Sequence, residues 1–399
     1  MGTPEDPLWT RPYTLTLAAT FFIFIPYALF LPVLPVYILE DLHGSFAEAG
    51  AVNAVFLVAS VLFRSQTARL ESRFGKRSVL LVAGFLFMLS TFLYLLVESM
   101  MGVMIIRFFS GICFAVVNTC LYTLGSQLTP SRRKGEGLAY LATVVTAGTA
   151  IGPFVGLSMA RTYGYGWVFF ASGLVALVGF LLSLRIVIPK TILEEQATGP
   201  RFSLRELFEA RALPASGIVL LLAFAISPVL SFASVYANSM HLTKTAAYFF
   251  VVMALSNIGS RLFTGRIYDR FGANVVIYPA IFSLACGLFI LGKAEGPPGM
   301  FAAAALVGIA YGIIVPAIQT LAIQQSPSHR TSVATATFFT FFDIGMGAGS
   351  YLLGACIPFT GFSNLFLLLT PFVLSISVIY YALHGRKVIV PEVCNRRVD

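Results

Sequence analysis

The sequence has few charged residues. Lys and Arg number 26 and Asp and Glu 17 among 399 residues, which is 11%, against about 25% in average soluble proteins. Hydrophobic residues make up 58%, and Phe alone contributes 37. A soluble fold of this length could not bury so much apolar surface. The composition excludes an ordinary soluble enzyme and predicts that lipid covers part of the folded protein.

Residues that commonly bind metals or form disulfides are also scarce. The four histidines stand singly, and the five cysteines form no C-x-x-C pair, so we expect no disulfide framework, metal or cofactor. G-x-x-x-x-G-K-[ST], H-E-x-x-H and G-x-S-x-G are all absent, which argues against direct use of ATP and against an enzyme. The net charge of +9 is not arranged as a basic stripe with interleaved aromatics, so nucleic acid is not an expected partner.

Long apolar runs are abundant. A helix of about 20 apolar residues crosses the core of a bilayer, and twelve such runs occur. They cover residues 13–39, 47–68, 78–97, 101–124, 137–160, 166–188, 214–238, 246–267, 274–293, 300–322, 332–356 and 363–383. We therefore predict an all-α membrane protein with twelve transmembrane helices. The first run is longer than the apolar region of a signal peptide, so we expect it to be a membrane span and not a cleaved leader.

The loops between the spans differ in charge. Lys and Arg concentrate in the loops after spans two, four, eight and ten and after the last span. By the positive-inside rule, these loops, both termini and the polar loop 189–213 should be cytoplasmic. We expect an integral, multi-pass protein of the plasma membrane, in contact with the lipid bilayer and monomeric.

The sequence contains an internal repeat at an offset of 197 residues. The segment holding Arg64, Thr67, Arg69, Arg73, Phe74 and Gly75 reappears as Arg261, Thr264, Arg266, Arg270, Phe271 and Gly272. Because six spans fit in one repeat, both halves should have the same orientation in the membrane. We predict an N-terminal six-helix bundle over 1–188, a central cytoplasmic loop over 189–213, and a C-terminal six-helix bundle with its tail over 214–399.

The loop after span two resembles a family signature. Residues 68–77 read A-R-L-E-S-R-F-G-K-R and are similar to the G-x-L-A-D-R-x-G-R-R/K motif of the major facilitator superfamily; the repeat copy, 265–272, keeps the Gly and the Asp. The first copy departs from the motif at Ala68 and Ser72, which leaves Glu71 as its acid. The resemblance implies a fold of two six-helix bundles and alternating-access transport. It also implies gating roles for Arg69, Arg73, Arg77, Arg266, Asp269 and Arg270, with positive-inside anchoring as the alternative.

Span five contains closely spaced glycines. Gly148, Gly152, Pro153 and Gly156 form a G-x-x-x-G-P-x-x-G run that resembles the motif of proton-coupled drug antiporters in the superfamily. The alternative is ordinary packing, since small residues at this spacing let helices approach closely.

Two charges fall inside spans and are not duplicated by the repeat. Arg107 in span four is matched by Ala304, and Asp343 in span eleven by Thr146. Charged residues within a membrane are costly and often mark ion or proton pathways. We predict that Asp343 and Arg107 serve proton coupling; the alternatives are a snorkelling arginine and a structural acid.

Polar and aromatic residues in the other spans are candidates for a substrate cavity. By the family resemblance, spans one, four, seven and ten line the cavity. This selects Tyr27, Asn118, Tyr122, Tyr236, Tyr311 and Gln319. Each could instead form an interhelical hydrogen bond.

The sequence thus predicts a secondary active transporter, most simply a proton-coupled exporter of small organic molecules, with protons as the second partner. Two alternatives stay open. One is a proton-coupled uptake symporter for sugars or organic acids, and the other is a membrane sensor or scaffold that transports nothing.

Overall fold

The computed structural model describes residues 7–64, 66–130, 133–188, 208–327 and 330–385. Within these ranges the protein is helical and contains no strand. The helices are α1 (Arg11–Glu40), α2 (Phe46–Arg64), α3 (Thr67–Phe74), α4 (Lys76–Leu93), α5 (Met100–Leu128), α6 (Lys134–Tyr163), α7 (Tyr165–Leu184), α8 (Leu213–Ser239), α9 (Thr243–Phe271), α10 (Ala273–Gly292), α11 (Pro297–Gln324) and α12 (Thr331–Tyr380).

Eleven helices in the described ranges are long and apolar enough to cross a membrane. The last of them, α12, is interrupted at Gly361, where φ is 71° and ψ is 165°, and so supplies two spans. Long helices are the expected form because the hydrocarbon core offers no water to backbone amides and carbonyls. The protein is therefore an all-α, multi-pass membrane protein with twelve transmembrane helices, as predicted.

Several helix ends in the structure differ from the predicted span boundaries. The second predicted span, 47–68, was too long: α2 ends at Arg64, and the short helix α3 follows from Thr67. The sixth, 166–188, was also too long, since α7 ends at Leu184. In α3, Glu71 is buried while Arg69 and Arg73 are exposed, so this polar segment forms an amphipathic helix of its own and does not extend the apolar span.

Glycine turns repeat with the same offset as the sequence. Four glycines in the described ranges have positive φ: Gly75 (81°), Gly164 (85°), Gly272 (83°) and Gly361 (71°). They form two pairs, each 197 residues apart. Glycine adopts this conformation without the steric cost that a Cβ imposes. The sharp connections α3–α4 and α6–α7 therefore recur at α9–α10 and within α12, which gives the sequence repeat a structural counterpart.

The chain divides into two compact units. Unit 1 contains Met1–Ser45 and Val55–Arg201, and unit 2 contains Phe46–Ala54 and Phe202–Asp399. In unit 1, α1 packs against α6 and α7, and α4 packs against α5 and α7. In unit 2, α8 packs against α12, and α11 packs against α9 and α10. The predicted loop boundary at 189–213 stays a prediction, because residues 189–207 lie outside the described ranges.

The start of α2 belongs to unit 2 through a chain of hydrogen bonds. The Asn53 amide donates to Ser231 Oγ at 3.1 Å, and Ser231 Oγ lies 2.9 Å from Ser350 Oγ. Ser350 Oγ also donates to the Gly50 carbonyl at 3.1 Å. These bonds join α2, α8 and α12 in the interior of unit 2, where all three side chains are buried.

Candidate transport site

Arg107 lies in the interior of unit 1. The side chain is only 1% exposed, and its guanidinium carbon lies 4.1 Å from the ring centre of Phe56 and 5.8 Å from that of Phe30. Tyr94 and Tyr27 are its electrostatic neighbours. Attraction between a cation and aromatic faces strengthens when water is excluded. The side chain is thus held among rings from three other helical segments, an arrangement unlike a snorkelling arginine.

Aromatic side chains continue from Arg107 along the same part of unit 1. Tyr27 on α1 stacks on Phe114 of α5, with ring centres 4.5 Å apart and planes within 12°. Asn118 follows one turn after Phe114. Its Oδ1 atom is buried and has no hydrogen-bond partner in the described part of the chain. Tyr122, one turn further, is 36% exposed. Three of the predicted cavity residues, Tyr27, Asn118 and Tyr122, therefore lie on or against one face of α5.

Asp343 lies in the interior of unit 2. It is 6% exposed and sits in the part of α12 that precedes Gly361. The phenol of Tyr311 on α11 interacts electrostatically with two opposite charges, those of Arg261 and Asp343. The rings of Tyr311 and the adjacent Phe342 lie 6.4 Å apart. The predicted residues Asp343 and Tyr311, together with Arg261, therefore lie within electrostatic range of one another.

A close approach of α9 and α11 places Arg261 in this cluster. A Cβ atom added at Gly312 would lie 2.6 Å from the carbonyl oxygen of Asn257, so only glycine permits this spacing. Gly312 directly follows Tyr311, and Asn257 lies one turn before Arg261. The sequence alone did not identify Arg261 as a residue of this site. The signal that could have found it is its repeat match with Arg64, combined with the lack of any other charge in the middle of α9.

The remaining cavity candidates lie elsewhere in unit 2. Tyr236 is buried near the end of α8, where its ring packs against Phe362 at 5.3 Å and Phe366 at 5.7 Å. Gln319 is half-buried on α11, two turns after Tyr311. The structure thus places Tyr236 in an aromatic cluster of its own, distinct from the Asp343 cluster.

The glycine run of α6 faces α1. A Cβ atom at Gly148 would lie 3.0 Å from Phe24 Cβ, at Gly152 2.7 Å from the Leu29 nitrogen, and at Gly156 2.6 Å from Leu29 Cγ. Pro153 is buried within the helix. These three glycines allow α6 and α1 to pack with little space between their backbones. The run therefore serves close helix packing.

The predicted gating residues are mostly exposed at helix ends. Arg69, Arg73, Arg77, Arg266 and Arg270 are all exposed, and the side chain of Asp269 lies outside the described set. Behind them, each unit has a polar contact that was not predicted. Lys76, fully buried, donates to Gln127 Oε1 at 2.5 Å, and in unit 2 the Tyr268 hydroxyl donates to Gln324 Oε1 at 3.0 Å. Gln127 and Gln324 are repeat partners, so equivalent glutamines accept hydrogen bonds from different donors in the two units.

The segment that precedes α8 is also anchored by charge. Arg330, at the start of α12, forms a 2.8 Å salt bridge with Glu209, which is almost fully buried. The backbone N–H of Glu209 donates to Thr337 Oγ1 at 2.9 Å. This pair fixes the segment that enters α8 against the first turns of α12.

Comparison with known proteins agrees with this arrangement. A family model described as Major Facilitator Superfamily matches residues 16–350. The uncharacterized MFS-type transporter MJ1560 of Methanocaldococcus jannaschii is 25% identical over 384 residues, which is 94% of this chain and 96% of the relative. The protein is thus a membrane transporter and not an enzyme, and it belongs to the Major Facilitator Superfamily.

Solved structures share the fold at low identity. A POT family transporter in complex with 5-aminolevulinic acid superimposes with a TM-score of 0.79 at 12% identity, covering 96% of this chain and 98% of the other. The nucleoside transporter NupG superimposes with a TM-score of 0.76 at 13% identity, covering 95% and 100%. At such identities the likeness concerns the fold, and it carries no substrate to this chain.

Proposed function

We propose that the protein is a proton-coupled exporter of small organic molecules that exchanges substrate for protons by alternating access. The observation that carries the proposal is Asp343, a buried carboxyl group in the middle of a membrane helix, beside Arg261 and Tyr311. A carboxyl group in such surroundings can change its protonation state when its neighbours change.

In the proposed cycle, Asp343 takes up a proton when the transporter opens to the outside and releases it inside. Arg107, the charge in unit 1 that the repeat does not duplicate, assists the release by favouring the deprotonated form of Asp343. A ligand that binds the two states unequally shifts their populations. Competition between proton and substrate for the same protein state would then couple their opposite movements.

Export is favoured over uptake by the glycine run of α6, which resembles that of proton-coupled drug antiporters. An uptake symporter of sugars or organic acids remains the alternative within transport. The two differ in a measurable sign, because an inward-directed proton gradient drives substrate out of the cell in antiport and into it in symport.

The test is a flux assay in proteoliposomes with an imposed pH gradient and a broad set of labelled organic solutes. We expect movement opposite to the proton gradient for the wild type. Asp343→Asn should abolish this gradient-driven movement but keep substrate binding and energy-independent exchange, because exchange needs no net change of protonation. The matched control is Thr146→Val at the repeat-equivalent position, which should pump normally.

Three results would contradict the proposal. Absence of flux for every solute would contradict export of small organic molecules, and flux along the proton gradient would indicate a symporter. Normal pumping by Asp343→Asn would make the acid structural and move the search to Glu48 or to Glu136, which pairs with Arg133 at 2.8 Å.

A further inference from the structure

The two repeat-related arginines Arg64 and Arg261 have different surroundings. In unit 1, the Arg64 guanidinium donates to Ser60 Oγ, one turn earlier on α2, at 3.3 Å. The offset of 197 places Asn257 at the position of Ser60 in unit 2. Asn257 is buried, but its Oδ1 atom has no hydrogen-bond partner in the described ranges. The bond seen in unit 1 is therefore not made in unit 2.

The residues opposite the two arginines differ as well. Asp343 and Tyr311 in unit 2 correspond to Thr146 and Phe114 in unit 1. Arg261 therefore shares its surroundings with an acid and a phenol, whereas the equivalent positions in unit 1 carry no ionisable group. The close approach at Gly312 and the ring contact between Tyr311 and Phe342 hold α9, α11 and α12 together at this level.

We infer that Arg261 is a positioning residue that alternates between two partners, the ionised carboxylate of Asp343 and, when Asp343 is protonated, the amide oxygen of Asn257. The inference rests on the proposed role of Asp343 as proton carrier. The inference adds Arg261 as the residue that would determine in which state of the cycle Asp343 holds its proton and in which state it releases it.

The physical reason is the cost of unsatisfied groups away from water. Arg261 is half-buried and its Nε atom is fully buried, so the guanidinium needs a partner in each state of the cycle, because a charge removed from water and left without one is destabilising. A buried acceptor without a donor also carries a desolvation penalty. Protonation of Asp343 removes its negative charge and so weakens its attraction to Arg261. The Oδ1 atom of Asn257, which has no donor in the described ranges, belongs to a residue one helical turn before Arg261 on α9. The bond from Arg64 to Ser60 shows that an arginine reaches a side chain at this spacing.

Few other charges face Asp343. Helices α8, α10 and α11 carry no charged residue within their bounds, and Asp343 is the only one in α12. The ionisable side chain facing it from α11 is Tyr311, and that from α9 is Arg261. Glu48 on the unit 2 part of α2 lies near the level of Ser350, two turns further along α12. The Arg330–Glu209 pair lies at the level of Thr337, nearly two turns before Asp343 on α12. Among the described residues of unit 2, Arg261 is therefore the cation that we assign to Asp343.

The experiment is a pH titration of Asp343 by infrared spectroscopy in the purified full-length protein, which does not depend on transport. The absorption of its protonated carboxyl group is assigned by its loss in Asp343→Asn. Arg261→Gln should raise the pH midpoint by about 1 to 3 units, because the ionised form loses its cation. Asn257→Leu should lower the midpoint, because the protonated state loses the second partner of Arg261.

Conservative variants separate this switch from a structural role. Asn257→Ser, which introduces the residue found at this position in unit 1, should keep a midpoint near that of the wild type. Arg261→Lys keeps the positive charge, so its midpoint should lie between those of the wild type and Arg261→Gln. Arg64→Gln is the matched control and should leave the midpoint unchanged. If Arg261→Gln does not fold, the Arg261→Lys and Asn257 variants still decide the matter.

The inference and the proposed function fail in different ways. Unchanged midpoints in both the Arg261 and Asn257 variants, or shifts in the same direction, would overturn the switch even if Asp343→Asn abolished pumping. Opposite shifts in a protein whose flux ignored the proton gradient would support the switch and contradict proton-coupled export.

Discussion

At the scale of single residues, Arg107 is the clearest case of a charge retained despite its cost. Removing a guanidinium from water is expensive, and the aromatic faces of Phe56 and Phe30 recover only part of that cost. The position is not required for packing in both halves, since its repeat partner is Ala304. A charge kept in one unit only is easier to explain by transport than by stability.

We therefore expect Arg107→Ala to reduce proton-driven transport by about tenfold, within the range typical of coupling free energies. Arg107→Lys should keep part of the activity, because the charge remains but the planar group that lies over Phe56 is lost. The measurement compares gradient-driven flux with energy-independent exchange in the same proteoliposomes. Equal loss of both would mean that Arg107 supports the fold or substrate binding and not coupling.

The sequence predicts some of these residues and misses others for a physical reason. Arg107 and Asp343 stand out because each is a lone charge in an apolar run. Arg261 does not, because Arg266 and Arg270 follow it closely and make the end of the span look like the start of a basic loop. Its proximity to Asp343 depends on the packing of three helices that are distant in sequence, which no local pattern reports.

At the scale of elements, α6 and α1 depend on glycine for their contact. A Cβ at Gly152 would meet the Ile25 carbonyl and the Leu29 nitrogen, both at 2.7 Å. These are backbone atoms, so relief requires movement of α1 and not a change of rotamer. Overpacking of this kind typically costs about 1 to 3 kcal/mol.

We accordingly expect Gly152→Val to lower the thermal unfolding temperature in detergent, and Gly152→Ala to lower it less. Gly259→Ala in α9 is the matched control, because nothing lies within 4 Å of a Cβ added there; it should leave the temperature unchanged or raise it slightly. Intrinsic fluorescence during heating provides the measurement. An unchanged transition in Gly152→Val would show that α1 and α6 separate at no cost.

Element boundaries were predicted less well than element number. Counting apolar residues finds the spans, since bilayer thickness sets their length. It does not find α3, which is too polar and too short, or the continuation of helix on both sides of Gly361 in α12. The positive φ angles at Gly164 and Gly361 likewise have no signal in hydropathy, although their spacing of 197 residues agrees with the repeat.

At the scale of the whole molecule, the charge at the helix ends predicts the orientation in the membrane. In unit 1, the exposed arginines Arg69, Arg73 and Arg77 lie at the connection from α2 to α4, and in unit 2, Arg266 and Arg270 lie at the repeat-related connection. Lys and Arg are retained on the cytoplasmic side of short loops. With an even number of spans, we expect both termini and the loop 189–213 to lie on the cytoplasmic side.

We expect single-cysteine labelling to show this orientation. In a background with Cys356 and Cys394 replaced, a membrane-impermeant maleimide should label Thr198→Cys in the central loop only in inside-out vesicles. Glu295→Cys, in the exposed connection between α10 and α11, should be labelled only in intact cells. The two positions should lie on opposite sides of the membrane, because three predicted spans separate them. Labelling of Thr198→Cys from outside intact cells would reverse the orientation, and with it the direction assigned to the proton cycle at Asp343.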